Sequence, residues 1–189
     1  TAEALSKLFA TRIDRVVKID FKGFEAFIDA LGGIDVDVEK SFTDTQFPTE
    51  NDGPNPYLWT SVTFTKGIER LNGKRALTYA RSRHASGGEG SDFARSRRQQ
   101  RVISAVRNRI LSHGTLANPR RLTELWSAVS NHAQTDVSVW ELLRIAQAIG
   151  SFSDIAVTSQ VLTNDSNGEL VDGSIENAFM LFPRRSDWS

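Results

Sequence analysis

Two periods of apolar residues run along this chain, and the places where one gives way to the other mark its elements. Val16, Val17 and Ile19 make a β-branched apolar run, which predicts a strand from Arg15 to Asp20. Phe24, Phe27, Ile28 and Leu31 fall at i, i+3, i+4 and i+7, so an amphipathic helix is predicted from Lys22 to Leu31. Gly32-Gly33 ends it, because glycine readily takes the left-handed conformation of a helix C-terminus. Ile34, Val36 and Val38 then alternate with Asp35, Asp37 and Glu39, a strand whose acids form its solvated face. Strand, helix and strand in succession predict the α/β class with a mixed sheet.

Residues 41–60 carry Pro48, Gly53, Pro54 and Pro56 among Asn and Asp, and read as a long surface loop in which Asp44 is a solvated acid. Val62 to Phe64 reads as a short strand, Leu71-Asn72-Gly73 as a turn and Lys74 to Tyr79 as a short helix. Ala85 to Ser91 is rich in glycine and serine and reads as flexible. The longest helix is predicted from Asp92 to Leu111, with Val102, Ile103, Val106 and Ile110 on one face. At about 100° per residue, Arg95 and Gln99 continue that inward stripe, whereas Arg97 and Arg101 point into solvent. Leu122, Leu125, Trp126 and Val129 give a helix over Leu116 to Asn131, and Ser138-Val-Trp-Glu141 has the spacing of a capping box opening another through Ile149. Ile155 to Leu162 and Ala178 to Phe182 read as strands, with a turn at Asn164 to Gly168. No internal repeat or heptad pattern is visible.

A length of 189 residues suits one domain, and 39% hydrophobic with 24% charged residues is globular composition. There is no cysteine, so neither a disulfide nor a thiolate metal site is available. The first residues, with Leu5, Leu8 and Phe9 at helical spacing, read as the tail of a helix and not as a signal peptide. The formal net charge is +0, yet arginines gather at 81, 83, 95, 97, 98 and 101. Concentrated guanidinium groups in a balanced chain point to a focused anion site, since they match phosphate oxygens bidentately and stay charged. His84, His113 and His132 show no ligand spacing, so a zinc site is not expected.

Four segments then stand in series: Val17-Lys-Ile-Asp-Phe-Lys-Gly-Phe24, Ile28-Asp-Ala-Leu-Gly-Gly-Ile-Asp-Val36, Leu71-Asn-Gly-Lys-Arg-Ala-Leu-Thr-Tyr-Ala-Arg-Ser-Arg83 and Asp92-Phe-Ala-Arg-Ser-Arg-Arg-Gln-Gln100. Together they resemble the LytR-CpsA-Psr family of bacterial cell-wall enzymes. The resemblance implies an α/β/α sandwich around a central mixed β-sheet, with residues 1–189 forming a single domain of this kind, the C-terminal major part of it. It implies a phosphotransferase that moves a glycopolymer from an undecaprenyl pyrophosphate carrier to peptidoglycan, with pyrophosphatase activity in some members. The partners implied are the polyprenyl pyrophosphate-linked glycopolymer, peptidoglycan, and a front section of the domain that has no counterpart here. Magnesium is the implied metal, with ligands largely in that front section and none assigned in this chain. The implied place is extracytoplasmic, in the cell envelope, with anchoring by an N-terminal membrane helix outside this chain.

Carried onto this sequence, Arg81, Arg83, Arg95 and Gln99 match pyrophosphate-binding positions, and Asp92 with Arg83 the catalytic ones. Arg81 and Arg83, two apart, would share a side if the stretch were extended. Asp92 has two compatible readings, as an N-cap or first-turn residue of the long helix, or as a group that orients the arginines or assists proton removal from the acceptor hydroxyl. Surface arginines tied to Asp92 or Glu89 are the plain alternative. Phe24, Phe27, Ile28, Val102, Ile103 and Val106 could line an apolar tunnel for a lipid tail, or simply form core. Two rival functions are a noncatalytic lipid-pyrophosphate or wall-binding module and a nucleic-acid binder; the zero net charge argues against nucleic acid as a partner.

Overall fold

The computed structural model describes residues 2–8, 10–49, 58–112, 118–138, 141, 144, 164, 168–175 and 178–184. After a short helix α1 (Ala2–Leu8) come β1 (Val17–Ile19) and α2 (Phe21–Ala30). Asp20 caps α2 by accepting from the Gly23 amide at 2.7 Å. Its C-terminus closes as the Gly32-Gly33 pair predicts: both have positive φ, +74° and +85°, and the Gly33 amide returns to the Ile28 carbonyl at 2.9 Å. β2 (Ile34–Val38) follows with strict alternation, Ile34, Val36 and Val38 buried and Asp35 and Asp37 exposed.

The strand–helix–strand elements form where the pattern puts them, and both strands pair with partners from later in the chain. β1 pairs antiparallel with β6 (Ala133–Thr135), and β2 pairs antiparallel with β5 (Gly67–Leu71), a strand the sequence pattern did not show. Residues 41–60 are not one loop. β3 (Phe42–Pro48) and β4 (Trp59–Phe64) form an antiparallel ladder whose register shifts between Asp44 and Phe47. Every ladder among the described residues is antiparallel.

α3 (Gly73–Arg81) opens on Asn72, whose side chain accepts from the Arg75 amide. Its first residue lies hard against α2, where a Cβ on Gly73 would stand 2.2 Å from the Glu25 carbonyl oxygen. α4 (Asp92–Ser112) is the predicted long helix. α5 (Pro119–Val129) starts later than predicted, at a cap by Asn118 with proline in the first turn, and continues into a 3-10 turn, Ser130–His132. Its expected face holds, with Leu125 and Val129 buried. The capping box is formed: Ser138 donates through its amide and hydroxyl to Glu141, and the Glu141 amide donates to Ser138 Oγ. Arg15 also hydrogen-bonds Glu141, and these donors hold its carboxyl down to about 2. Most of the helix expected from Ser138 through Ile149, the expected strand 155–162, His113 and Trp140 lie outside the described residues. The final strand is β8 (Ala178–Pro183), paired with β7 (Leu170–Ile175).

The core lies where β2, β5, α2, α3 and α4 meet. Ile28, Ile34, Val36, Val38, Leu71 and Val102 are buried there, with Phe24, Phe27 and Val106 packed against them. Within it Phe42 stacks on Phe64 at 5.2 Å, and Phe64 meets Tyr79 edge to face at 5.0 Å. Each such buried ring contributes about 1.5–3 kcal/mol relative to exposure. Ile103, placed on the buried face by the sequence pattern, is 68% exposed.

Candidate functional site

The buried stripe of α4 explains Ile103 and resets the arginines. The inward residues are Ala94, Arg98, Val102 and Ala105, so the stripe runs through Arg98. Counting arginine as polar hides this, because the fully buried Arg98 interrupts an otherwise apolar series. Gln99 is therefore exposed, contrary to expectation, with its amide reaching the Ala80 carbonyl at 3.4 Å. Arg101, expected in solvent, is half-buried and paired with Glu39.

Arg83, Asp92 and Arg95 do converge. Asp92 Oδ1 accepts from Arg83 Nη2 at 3.3 Å and from Arg95 Nη1 at 2.9 Å. The Asp92 side chain is 67% exposed, Arg83 60% and Arg95 27%. Two guanidinium groups thus share one carboxylate oxygen at an open surface, leaving one net positive charge and unused donors. Asp92 is the first residue of α4, and Ser91 caps the helix, its hydroxyl accepting from the Ala94 amide. Asp92 is therefore both a first-turn acid of α4 and a partner of the two arginines.

Arg81 stands elsewhere. It is the last residue of α3, so the stretch to Arg83 is not extended and the two do not share a side by strand alternation. Its guanidinium lies over the Phe21 ring at 4.3 Å and faces Phe47 at 5.9 Å. With Phe47, Lys74, Leu77 and Thr78 it lines a cavity of about 210 Å³.

Four residues hold the site in place in roles that sequence reasoning did not give them. Asp44, expected as a solvated loop acid, is 1% exposed on β3, on the same face as Phe42. Its Oδ2 accepts from Ser82 Oγ at 2.6 Å, the Arg83 amide at 3.1 Å and the His84 amide at 3.2 Å. Its Oδ1 accepts from the Gln46 amide at 2.9 Å, across the register shift. Burial pushes its carboxyl up, but the hydrogen bonds from Ser82, Gln46, His84 and Arg83 outweigh this and leave it below its ordinary value. The segment after α3 also pairs along β3: Asp44 bridges Ala85, and Ser86 and Thr43 exchange hydrogen bonds. Arg98 pairs with the buried Glu89 at 3.0 Å, and burial lowers its guanidinium below the usual value. The alternation Phe42-Thr-Asp44 and the spacing Ala94, Arg98, Val102 were the signals available for Asp44 and Arg98. Glu89 was foreseen as an arginine partner, though at the surface and not buried, and nothing local marked Ser82.

The fold is that of an α/β protein, with two guanidinium groups gathered on one exposed carboxylate where α4 begins. The LytR_cpsA_psr family model matches residues 1–183, and the chain belongs to that family. The polyisoprenyl-teichoic acid–peptidoglycan teichoic acid transferase TagV of Bacillus subtilis is 29% identical over 163 residues, covering 86% of this chain and 38% of TagV. The cell wall biosynthesis protein LcpA of Corynebacterium glutamicum is 27% identical over 187 residues, covering 95% of this chain and 33% of LcpA. The crystal structure of B. subtilis TagV superposes with a TM-score of 0.62 at 26% identity, over 96% of this chain and 62% of the other. The chain thus spans about a third of the length of these curated relatives. Among the described residues no helix is long and apolar enough to cross a membrane.

Proposed function

We propose that this chain carries the anion-binding part of a transferase that moves a glycopolymer from a polyprenyl pyrophosphate carrier to peptidoglycan. The observation that carries the reading is the convergence of Arg83 and Arg95 on one exposed oxygen of Asp92. The names of TagV and LcpA, as teichoic acid transferase and cell-wall biosynthesis protein, supply the substrate class. In the reaction an acceptor sugar hydroxyl attacks the phosphorus that bears the glycopolymer. A phosphodiester forms, the bond to the bridging oxygen breaks, and polyprenyl phosphate leaves. Arg83 and Arg95 neutralise charge on the non-bridging oxygens, and Asp92 orients them and accepts the hydroxyl proton. Arg81 and Gln99 flank this centre in the proposal and extend the grip on the carrier once bound.

The same reading puts the protein in the cell envelope outside the cytoplasmic membrane, tethered by a membrane helix outside residues 1–189. Magnesium would screen the diphosphate when bound. Among the described residues no three Asp, Glu or His side chains gather, and both oxygens of Asp44 are taken by amides and a hydroxyl. These residues do not form a set for the ion, and no step here runs through it.

Arg83→Ala and Arg95→Ala are expected to abolish polyprenyl pyrophosphate binding, measured by calorimetry, while the circular dichroism melt stays near that of the parent. Unchanged affinity in both variants would remove this site.

A further inference from the structure

Arg83 and Asp92 flank a segment, residues 83–91, that has little apolar packing: His84, Ser86, Gly87 and Gly88 are exposed. A diphosphate can be gripped from both sides only if this segment holds its two ends at a fixed spacing. One side chain ties the residue before this segment to Glu89 near its far end. Arg98 is 0% exposed and donates from Nε to the Tyr79 carbonyl at 3.1 Å. Nη1 donates to the Glu89 carbonyl at 2.7 Å and to Glu89 Oε2 at 3.0 Å, and Nη2 to the Ser82 carbonyl at 2.6 Å. These acceptors come from α3, from the residue just before Arg83, and from the loop three residues before Asp92. The Phe42 ring, 4.9 Å from the guanidinium carbon, closes the site. An arginine present only to pair with Glu89 would need one of these contacts. The planar fork is instead spent on backbone carbonyls at both ends of the segment, which a lysine ammonium, a point charge with rotating donors, does not reproduce.

We infer that Arg98 is a positioning residue: it sets the spacing between Arg83 and the Asp92–Arg95 pair so that both guanidinium groups meet one diphosphate. This rests on reading Arg83 and Arg95 as the anion site. It makes a distinction that a purely structural role does not. Spacing matters for an anion gripped at two phosphates and little for one gripped at a single phosphate.

The test is calorimetric titration of the chain with inorganic pyrophosphate and with orthophosphate, for the parent, Arg98→Lys, Arg83→Ala and the double variant. Thermal melts report folding. Arg98→Lys is expected to fold and to lose about tenfold or more in pyrophosphate affinity. Its orthophosphate affinity should change less than about threefold, and Arg83→Ala should cost much less in the Arg98→Lys background than alone. Equal losses for both anions, additive effects with Arg83→Ala, or an unchanged preference would overturn the inference while leaving the site intact. A parent that binds neither anion overturns the site and the inference together. If Arg98→Lys does not fold, Glu89→Gln takes its place. It keeps the three carbonyl contacts and should lower the pyrophosphate preference by a smaller factor, and an unchanged preference in that folded variant is the adverse result.

Discussion

A single carboxylate, Asp44, holds three donors on one oxygen and a fourth on the other, all within the protein. Its carboxyl lies below the ordinary value because those bonds outweigh burial. A lowered folded-state value means that the ionised form stabilises the fold above the unfolded pKa of about 3.9, and that this stability drains away as pH falls further. Asp44→Asn, which places an amide group among donors, is expected to destabilise by about 1–3 kcal/mol near pH 7. The gap between variant and parent should narrow below about pH 4. Thermal melts between those values check this, and a gap independent of pH would show that ionisation of Asp44 is not what holds Arg83 in place. At the same scale, Asp92 differs from Asp44 in exposure and in its donors, which are guanidinium groups in place of amides and a hydroxyl. Both accept from groups around Arg83, but Asp92 sits where solvent or a ligand can replace its partners.

Among the elements, α3 sets the site's outline, because its C-terminal end delivers Ser82 and Arg83 to Asp44. Its N-terminal end is fixed by two local features, the Asn72 cap and the contact of Gly73 with the Glu25 carbonyl. Gly73→Ala is expected to cost about 1–3 kcal/mol, since the methyl must displace helix backbone. Asn72→Ala is expected to cost about 0.5–2 kcal/mol through the lost cap. Chemical denaturation resolves both, and a neutral Gly73→Ala would contradict the packing described. α2, β2, the Gly32-Gly33 stop and α4 were legible from the sequence because each writes its period within a local window. β3 and β5 were not. β3 interleaves Thr43, Thr45 and Gln46 with its apolar residues and shifts register midway, and its stability comes from β4, Tyr79 and the 83–86 segment. The orientation of α4 was misread by the angle separating Val102 from Ile103, because the residue that continues its stripe is a charged one. The grouping of Arg83, Asp92 and Arg95 was legible through motif resemblance, whereas the departure of Arg81 depended on where a helix ends.

Across the whole molecule the formal charge is +0, with arginine-rich stretches offset by acids elsewhere. Arg70 pairs with Asp35, Arg75 with Glu69, Arg98 with Glu89 and Arg101 with Glu39, so much of the apparent basic character is neutralised in place. Among the described residues these pairs break up the basic run that a duplex nucleic acid would need. No mobility shift with duplex DNA is expected even at low salt, whereas a steeply salt-dependent shift would favour a nucleic-acid role.

The segment 83–91 is pinned at 83–86 along β3, at Glu89 by Arg98 and at Ser91 by the start of α4. Between those pins Gly87 and Gly88 have positive φ and open space where a side chain would stand. The chain contains no cysteine. A Gly-Cys-Gly insertion between Gly87 and Gly88 would therefore give one addressable thiol beside the anion site. An environment-sensitive dye attached there would report ligand arrival without touching Arg83, Asp92 or the groups that hold them.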